Sequence, residues 1–131
     1  MPLDLETSQD LKEAGFPQDF DLTRPCWYWI NGRLCHVISV RRDFIECCDG
    51  SRYDLLTDDR CAAPEEIDVL ESEWLETRGV EWDRHKESSE WVAWWTLPDK
   101  SDYVRLDAAN APELIRRVLA RMEEHREQST N

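Results

Sequence analysis

Residues 26–40, CWYWINGRLCHVISV, carry the pattern from which the rest of the fold can be inferred. At their centre Asn31-Gly32 is the dipeptide favoured by a two-residue type I′ turn, which joins antiparallel strands. Aromatic and β-branched residues lie on both sides of it, and such residues are enriched in strands. The stretch therefore predicts a β-hairpin with strands near residues 26–30 and 34–41.

A second tight turn continues this pattern toward the C-terminus. Asp49-Gly50 is the turn signal, and strands are predicted on either side of it, near residues 44–48 and 52–55. Further along, the Trp-rich segment 80–106 contains bulky β-forming residues separated by the turn-rich sequences KESS and LPDKSD. The sequence thus predicts an antiparallel β-meander, a twisted sheet formed in one or two parts, with residues 26–55 as its first part.

Two segments at the ends of the chain have helical periodicity and end signals. Residues 1–20 contain a predicted short N-terminal helix in ETSQDLKEAGF, with Thr7 or Ser8 as the N-cap and Gly15 just after its end. A C-terminal amphipathic helix is predicted over residues 110–125, where a capping asparagine precedes an apolar stripe.

A third helix is predicted over residues 64–78, PEEIDVLESEWLETR. Pro64 suits the first turn and Gly79 suits the residue after the end. Four apolar residues fall within one arc of the helical wheel, namely Ile67, Leu70, Trp74 and Leu75. The fold class is therefore α+β, a twisted antiparallel sheet with two main amphipathic helices and a short N-terminal helix.

Length and cysteine content indicate the class of protein. A chain of 131 residues fits a single domain, 1–131. No apolar run approaches the roughly 18 residues that span a bilayer, and the N-terminus lacks a signal-peptide pattern, so we expect a cytoplasmic protein. Five cysteines, an odd number without a C-x-x-C pair, predict free thiols and neither a metal site nor a cofactor.

Net charge is the strongest global signal. The chain has 16 basic and 29 acidic residues, a formal charge of −13, which repels phosphates and anionic lipid and attracts basic surfaces. Residues 57–90 contain twelve carboxylates and four basic residues, so they contribute −8 of that charge. We therefore expect neither direct nucleic-acid binding nor membrane binding, and a basic protein as the partner.

The predicted third helix carries most of the concentrated charge. On its wheel the carboxylates form one solvent-facing stripe about four turns long, made of Glu65, Glu66, Asp68, Glu73 and Glu76. Asp58 and Asp59 lie in the loop before it. Such a stripe is also what any solvated helix face shows, and that alternative stays open. Like charges repel each other, however, which favours a cationic partner that neutralises them.

The tryptophans supply candidate apolar anchors. Trp27 and Trp29 share one face of their predicted strand. On a second predicted strand, Trp94 lies on the face opposite to that of Trp91 and Trp95. Both faces of a strand are buried only where the sheet is covered on both sides, so either complete burial or an exposed aromatic surface is possible. If exposed, Trp27, Trp29 and Trp94 are the predicted partner-binding aromatics.

No catalytic pattern is found. Cys35 and His36 are adjacent on a predicted strand, so they point to opposite faces and cannot form a dyad. His85 lies in a charged turn and His125 near a helix end, where a solvated or dipole-stabilised histidine is the ordinary outcome. We predict that the protein is not an enzyme. A small-ligand binder would need a polar cleft that the sequence does not reveal.

Three stretches of the sequence resemble known proteins and indicate the kind of genome that encodes this chain. LKEAGFPQDF, followed by WYWINGRLCHVISV and ending in APELIRRVLARM, resembles small uncharacterised proteins encoded by phages and prophages. It implies a mobile element acting in the host cytoplasm, and no shared activity. The leading hypothesis is an inhibitor of a host nucleic-acid-binding defence complex, of anti-CRISPR or anti-restriction type, whose carboxylates imitate phosphates. The alternative is a phage structural or assembly protein, or a homo-oligomer such as a homodimer, joined through the Trp-bearing sheet.

Overall fold

The computed structural model describes residues 2–20, 22–23, 26–96 and 102–129, with side chains as far as residue 124. Within it the chain forms two compact units, Met1–Glu65 and Glu66–Asn131. Both contain helices and antiparallel strands, which confirms the α+β class. The expectation of a single domain stays a prediction.

The first unit is a five-stranded antiparallel sheet with one helix. Its elements are α1 (Leu5–Glu13), β1 (Cys26–Ile30), β2 (Arg33–Val40), β3 (Phe44–Cys47), β4 (Arg52–Asp54) and β5 (Arg60–Ala62). The strand order is β4-β3-β2-β1-β5. All four strands predicted in residues 26–55 are confirmed, and β5 is an additional strand. The turn at Asn31-Gly32 has φ values of 51° and 80°, both positive as a type I′ turn requires.

Alternation along β1 determines the core of this unit. Cys26, Tyr28 and Ile30 are buried, and they pack with residues of the neighbouring strands that lie on the same face, namely Cys35, Val37, Ile45 and Cys47. Phe20 stacks on the Tyr28 ring with centroids 4.5 Å apart. Trp27, on the opposite face, is only half-buried.

Helix α1 begins earlier than predicted. Thr7 and Ser8 are fully buried inside the helix, and neither is the N-cap; Asp4 occupies that position without a side-chain hydrogen bond. The Ser8 hydroxyl donates instead to the Leu3 carbonyl at 3.3 Å. The Leu3 amide donates to the Pro64 carbonyl at 2.9 Å, which fixes the chain before the helix and lets the helix start upstream of the threonine. At the other end Gly15, with φ of 96°, stops the helix as predicted.

The second unit is a three-stranded antiparallel sheet with helices. Its elements are α2 (Glu66–Leu70), α3 (Glu73–Glu76), β6 (Glu81–Arg84), β7 (Trp91–Thr96), β8 (Tyr103–Ala108) and α4 (Ala111–Ser129), and the strand order is β6-β7-β8. The predicted C-terminal helix is confirmed, and the Asn110 side chain caps it by accepting from the Glu113 amide at 2.9 Å. Helix α4 packs on β7, β8 and α2, and its Leu114, Ile115 and Val118 are buried. Most of the predicted LPDKSD turn, residues 97–101, lies outside the described residues.

The prediction of one helix over residues 64–78 is wrong. Helix α2 ends at Leu70, and α3 starts after Ser72, whose backbone is extended with φ of −70° and ψ of 146°. The Ser72 hydroxyl accepts from the Leu75 amide at 3.2 Å and donates to the Val69 carbonyl at 2.6 Å. A serine that bonds the backbone in this way competes with helix continuation and favours a cap. Within α2, Val69 is buried, and Ile67, predicted to be in the core, is 41% exposed.

Candidate protein-binding surfaces

The continuous acidic stripe predicted from the helical wheel does not exist. Glu65 lies before α2, in the first unit, and forms an isolated bridge with Pro2. Glu66 and Asp68 lie on α2, whereas Glu73 and Glu76 lie on α3. A wheel drawn through an uninterrupted helix placed these residues on one straight line, which the turn at Ser72 breaks.

Residues 66–79 nevertheless form a strongly negative segment, here called the acidic segment. It contains five carboxylates, of Glu66, Asp68, Glu71, Glu73 and Glu76, against one arginine, so its net charge is −4. All of them except the half-buried Glu66 are exposed. The guanidinium of that arginine, Arg78, lies 4.0 Å above the Trp74 ring and donates to the Trp74 carbonyl at 2.9 Å. Its position is therefore set by Trp74.

Glu71 is a member of this surface that sequence reasoning missed. The predicted stripe does not include Glu71, because a continuous helix would turn this residue away from the other carboxylates. In the structure it lies between α2 and α3, next to the Ser72 cap, and is exposed. The usable signal was Ser72 itself, a preferred N-cap residue followed directly by a glutamate that suits a first helical turn.

Of the two aspartates predicted to bind a partner, Asp58 and Asp59, only Asp59 has a carboxylate without a hydrogen-bond donor among the described residues. Asp58 accepts from the Asn31 side-chain amide at 3.2 Å and from the Asp54 backbone amide at 2.7 Å. Asp59 is exposed, and its carboxylate accepts no hydrogen bond from another described residue. Asp58 thus serves the loop in which it lies, while Asp59 is free to meet solvent or a partner.

A polar cleft of about 280 Å³ lies beside this loop, lined by Lys12, Gln18, Tyr28, Asp58, Asp59 and Arg60. Its polar groups are largely used within the fold. The Lys12 ammonium donates to the Arg60 carbonyl at 2.6 Å, and the Gln18 side-chain oxygen accepts from the Ala62 amide at 2.7 Å. The Tyr28 hydroxyl donates to the Gln18 carbonyl, and burial raises the pKa of this phenol. Two cations and two carboxylates balance, so the cleft favours no charged ligand.

The predicted aromatics Trp27 and Trp29 both lie on the face of β1 opposite the core, and both are half-buried. Trp27 stacks on His36, with ring centroids 4.8 Å apart, and the Trp29 indole N–H donates to the Leu3 carbonyl at 3.0 Å. This arrangement confirms that Cys35 and His36 point to opposite faces, because Cys35 is buried in the core with its sulfur 3.7 Å from the Tyr53 hydroxyl.

The third predicted aromatic, Trp94, is half-buried on β7. Its indole N–H donates to the Glu81 carboxylate at 2.7 Å. On the other face of the same sheet Trp82 and Trp91 stack with centroids 5.8 Å apart, and the Arg84 guanidinium lies 5.4 Å from the Trp91 ring centre. Glu81 carried no signal in the sequence, because only the strand register brings it beside Trp94.

The remaining titratable groups offer little for catalysis. Cys35, Cys47, Cys48 and Cys61 are free thiols, and of the five cysteines only Cys48 is exposed. Burial, aided by the Cys35 thiol, raises the pKa of the Cys47 thiol to about 12, and burial also raises the pKa of Cys61. His85 is exposed in a turn where its amide donates to the Glu90 carbonyl at 2.8 Å. The side chain of His125 lies outside the described residues.

The chain matches no protein-family model, no curated protein and no solved structure. Among the described residues there is no group of three or more His, Cys, Asp or Glu side chains arranged to hold a metal ion. Nor does any helix in the described ranges have the length and apolar character needed to cross a membrane. The functional argument therefore depends on the charged and aromatic surfaces described above.

Proposed function

We propose that this protein is a non-enzymatic acidic module that binds a basic surface of a nucleic-acid-binding protein. The observation that carries the proposal is the acidic segment, residues 66–79. Four of its carboxylates are exposed, and its single arginine is stacked on Trp74. A basic partner would supply the cations that the segment itself lacks.

The energetics favour a partner that neutralises this charge. Glu71, Glu73 and Glu76 make no ion pair with any other residue in the described part of the chain. Glu73 and Glu76 are three residues apart within α3, and like charges at that spacing destabilise a helix. Binding of Lys or Arg side chains would remove this repulsion and add charge-assisted hydrogen bonds.

An apolar contact is available within the same segment. Ile67 is 41% exposed, and the Glu71 amide donates to the Ile67 carbonyl at 2.9 Å, so the two side chains lie one helical turn apart on one side of α2. Binding surfaces commonly combine an apolar anchor with surrounding charge, because the anchor excludes water from the ion pairs. Ile67 is the anchor in this proposal.

The narrower proposal is an inhibitor, encoded by a mobile element, of a host nucleic-acid-binding defence complex such as a CRISPR effector or a restriction enzyme. The carboxylates of Glu66, Asp68, Glu73 and Glu76, together with Glu71, take the place of backbone phosphates in the nucleic-acid groove. Because α2 and α3 are separate short helices, the phosphate-like track is shorter than four helical turns. The module would act in the cytoplasm of the host cell.

The test is affinity capture from a lysate of the native host at low salt, followed by mass spectrometry. The wild-type bait is compared with a variant carrying Glu71→Lys, Glu73→Lys and Glu76→Lys. A matched control carries Glu13→Lys, Glu87→Lys and Glu123→Lys, three exposed carboxylates outside the acidic segment, and changes the net charge by the same amount.

Wild type and control are expected to recover a basic nucleic-acid-binding protein, and added duplex DNA should release it from both baits. The acidic-segment variant, with Glu71→Lys, Glu73→Lys and Glu76→Lys, should not recover it. Equal recovery by all three baits would contradict the proposal. Loss of recovery by both variants would mean that overall charge, and not the acidic segment, attracts the partner.

A second candidate, self-association through the five-stranded sheet or assembly into a phage particle, has its own supporting observation. Ile38, at the irregularity of β2 between Val37 and Ser39, is 50% exposed, and Trp27 is half-buried on the outer face. Exposed apolar side chains on a sheet are typical of interfaces. In sedimentation experiments this candidate predicts a concentration-dependent dimer that Ile38→Lys dissociates and that the acidic-segment variant leaves intact.

A further inference from the structure

The three-stranded sheet of the second unit has two chemically different faces. Ala93 and Trp95 are buried on the face that α4 covers, and Val104 and Ala108 of β8 lie with them. Alternation places Trp94 on the opposite face. The strand register puts Glu81 directly beside Trp94 on one side and Arg105 on the other.

That opposite face has a polar and acidic rim around an apolar centre, which is formed by Trp94 and the buried Val92. Its exposed residues are Glu81 and Asp83 on β6, Thr96 on β7, and Tyr103, Arg105 and Asp107 on β8. Tyr103 is 63% exposed, which is unusual for so large a side chain. With three carboxylates and one guanidinium, the face has a net charge of −2, so its charge is complementary to a cation.

The Trp94 indole is held in position by its own hydrogen bond. Its N–H donates to Glu81 Oε2 at 2.7 Å, which uses the only polar atom of the ring, so a further contact with this half-buried indole would be made by its aromatic face. The second oxygen of Glu81 remains beside it. Asp83 lies two residues further along β6 on the same face. An indole face next to two carboxylates is an arrangement that suits a guanidinium, which can stack and hydrogen-bond at once.

The chain itself uses this pairing elsewhere in the same unit. Arg78 stacks on Trp74 with 4.0 Å from guanidinium carbon to ring centre, and Arg84 lies 5.4 Å from the centre of Trp91. Trp94 has no such cation among the residues that the structure describes. Its cross-strand neighbour Arg105 is directed to Asp107 instead, with Nη2 3.5 Å from Oδ1. The Trp94 position thus lacks a guanidinium from any residue that the structure describes, and a partner could supply one.

We propose that the outer face of the three-stranded sheet, centred on Trp94 with Glu81 and Asp83, is a docking site for an arginine side chain of the basic partner. This inference rests on the proposed function, since it names a second contact and the residue type that makes it. Arginine is preferred over lysine because its planar guanidinium stacks on an indole while its N–H groups reach a carboxylate. A phosphate is excluded by the carboxylates.

The test uses the full chain and short basic peptides. A peptide of alternating arginine and glycine is titrated into ¹⁵N-labelled protein, and the indole N–H signals are followed by NMR. The signal of Trp94 is assigned with a Trp94→Leu variant. A lysine–glycine peptide of equal length and charge tests the preference for arginine.

The arginine peptide is expected to shift the Trp94 indole signal, and the lysine peptide to do so more weakly. Glu81→Gln should weaken binding of the arginine peptide about fivefold, in line with a partly exposed cation–π contact that loses its flanking charge. Glu87→Gln, which removes an exposed carboxylate away from this face, should leave binding unchanged. Because Glu81→Gln is conservative, the test does not depend on correct folding of Trp94→Leu.

Two results would overturn the inference, and they differ in what else they imply. If the arginine peptide binds without shifting the Trp94 signal, and Glu81→Gln binds as tightly as wild type, the docking site is wrong and the proposed function stands. If neither peptide binds the wild-type chain at low salt, the acidic module itself does not bind basic segments and both proposals fail.

Discussion

The side chains of Asn31 and Asp58 are joined directly, with Asn31 Nδ2 donating to Asp58 Oδ1 at 3.2 Å. Two further hydrogen bonds join the same loops. The Asn31 backbone amide donates to the Asp59 carbonyl at 2.8 Å, and the Asp59 backbone amide donates to Asn31 Oδ1 at 3.0 Å. The β1–β2 turn is therefore fixed to the loop that leads into β5. An aspartate that the sequence suggested for partner binding holds two loops together instead.

Asp58→Ala should lower the free energy of unfolding by about 1 to 2 kcal/mol, because the Asn31 side-chain amide and the Asp54 backbone amide both lose a charged acceptor. The measurement is urea denaturation followed by circular dichroism. Asp59→Ala is the matched control, and a change within about 0.5 kcal/mol is expected because its carboxylate is exposed. Equal effects of the two substitutions would show that Asp58 has no special structural role.

Ser72→Ala should destabilise the second unit by about 1 kcal/mol, the usual cost of losing an N-cap. The Leu75 amide and the Val69 carbonyl both lose their partner in that variant. Ser72→Asp keeps an acceptor at the cap and should retain most of the stability when both are compared by denaturation. Ser72→Ala as stable as wild type would argue against the cap as the reason that α2 and α3 are separate.

Much of the fold could be predicted because its signals are local. Asn31-Gly32 and Asp49-Gly50 define the first meander by turn chemistry alone, and Asn110 marks the start of α4. Strand β5, with three residues, is too short to show a period, and its place depends on pairing with β1. The break at Ser72 was missed because a helical wheel sums periodicity over a long window and cannot weigh one hydroxyl that bonds the backbone.

The candidate site was predictable in its charge and less so in its geometry. The sequence shows that residues 66–76 are rich in carboxylates. Whether a predicted side chain is accessible to a partner depends on its contacts with residues that are far away in sequence. Asp58 is bound by Asn31, 27 residues earlier, and Trp94 by Glu81, 13 residues earlier. Such contacts follow from strand register, which hydrophobic periodicity alone does not determine.

Stability should fall at alkaline pH partly because of Cys47. Burial and the Cys35 thiol raise the pKa of Cys47 to about 12 in the folded protein, above the value of about 8.5 for an exposed thiol. The folded state therefore keeps this proton where the unfolded state loses it, so stability is intact below about pH 8.5 and falls as the pH rises toward 12. Burial raises the pKa of Tyr28 in the same direction.

The measurement is the urea midpoint under reducing conditions as a function of pH. Cys47→Val should show a smaller alkaline decrease than wild type, whereas Cys48→Val, a substitution at the exposed neighbour, should follow the wild-type curve. Identical curves for wild type and Cys47→Val would mean that this thiol does not contribute to the alkaline loss.

The central claim, that the acidic segment binds a basic partner as nucleic acid would, is tested most directly by the affinity of the captured partner at two salt concentrations. Between about 50 mM and about 200 mM salt, binding to wild type and to the Glu13, Glu87 and Glu123 control should weaken at least about tenfold. The variant with lysine at positions 71, 73 and 76 should bind weakly at both concentrations. An affinity that is unchanged by salt, or equal for the two lysine variants, would contradict the account.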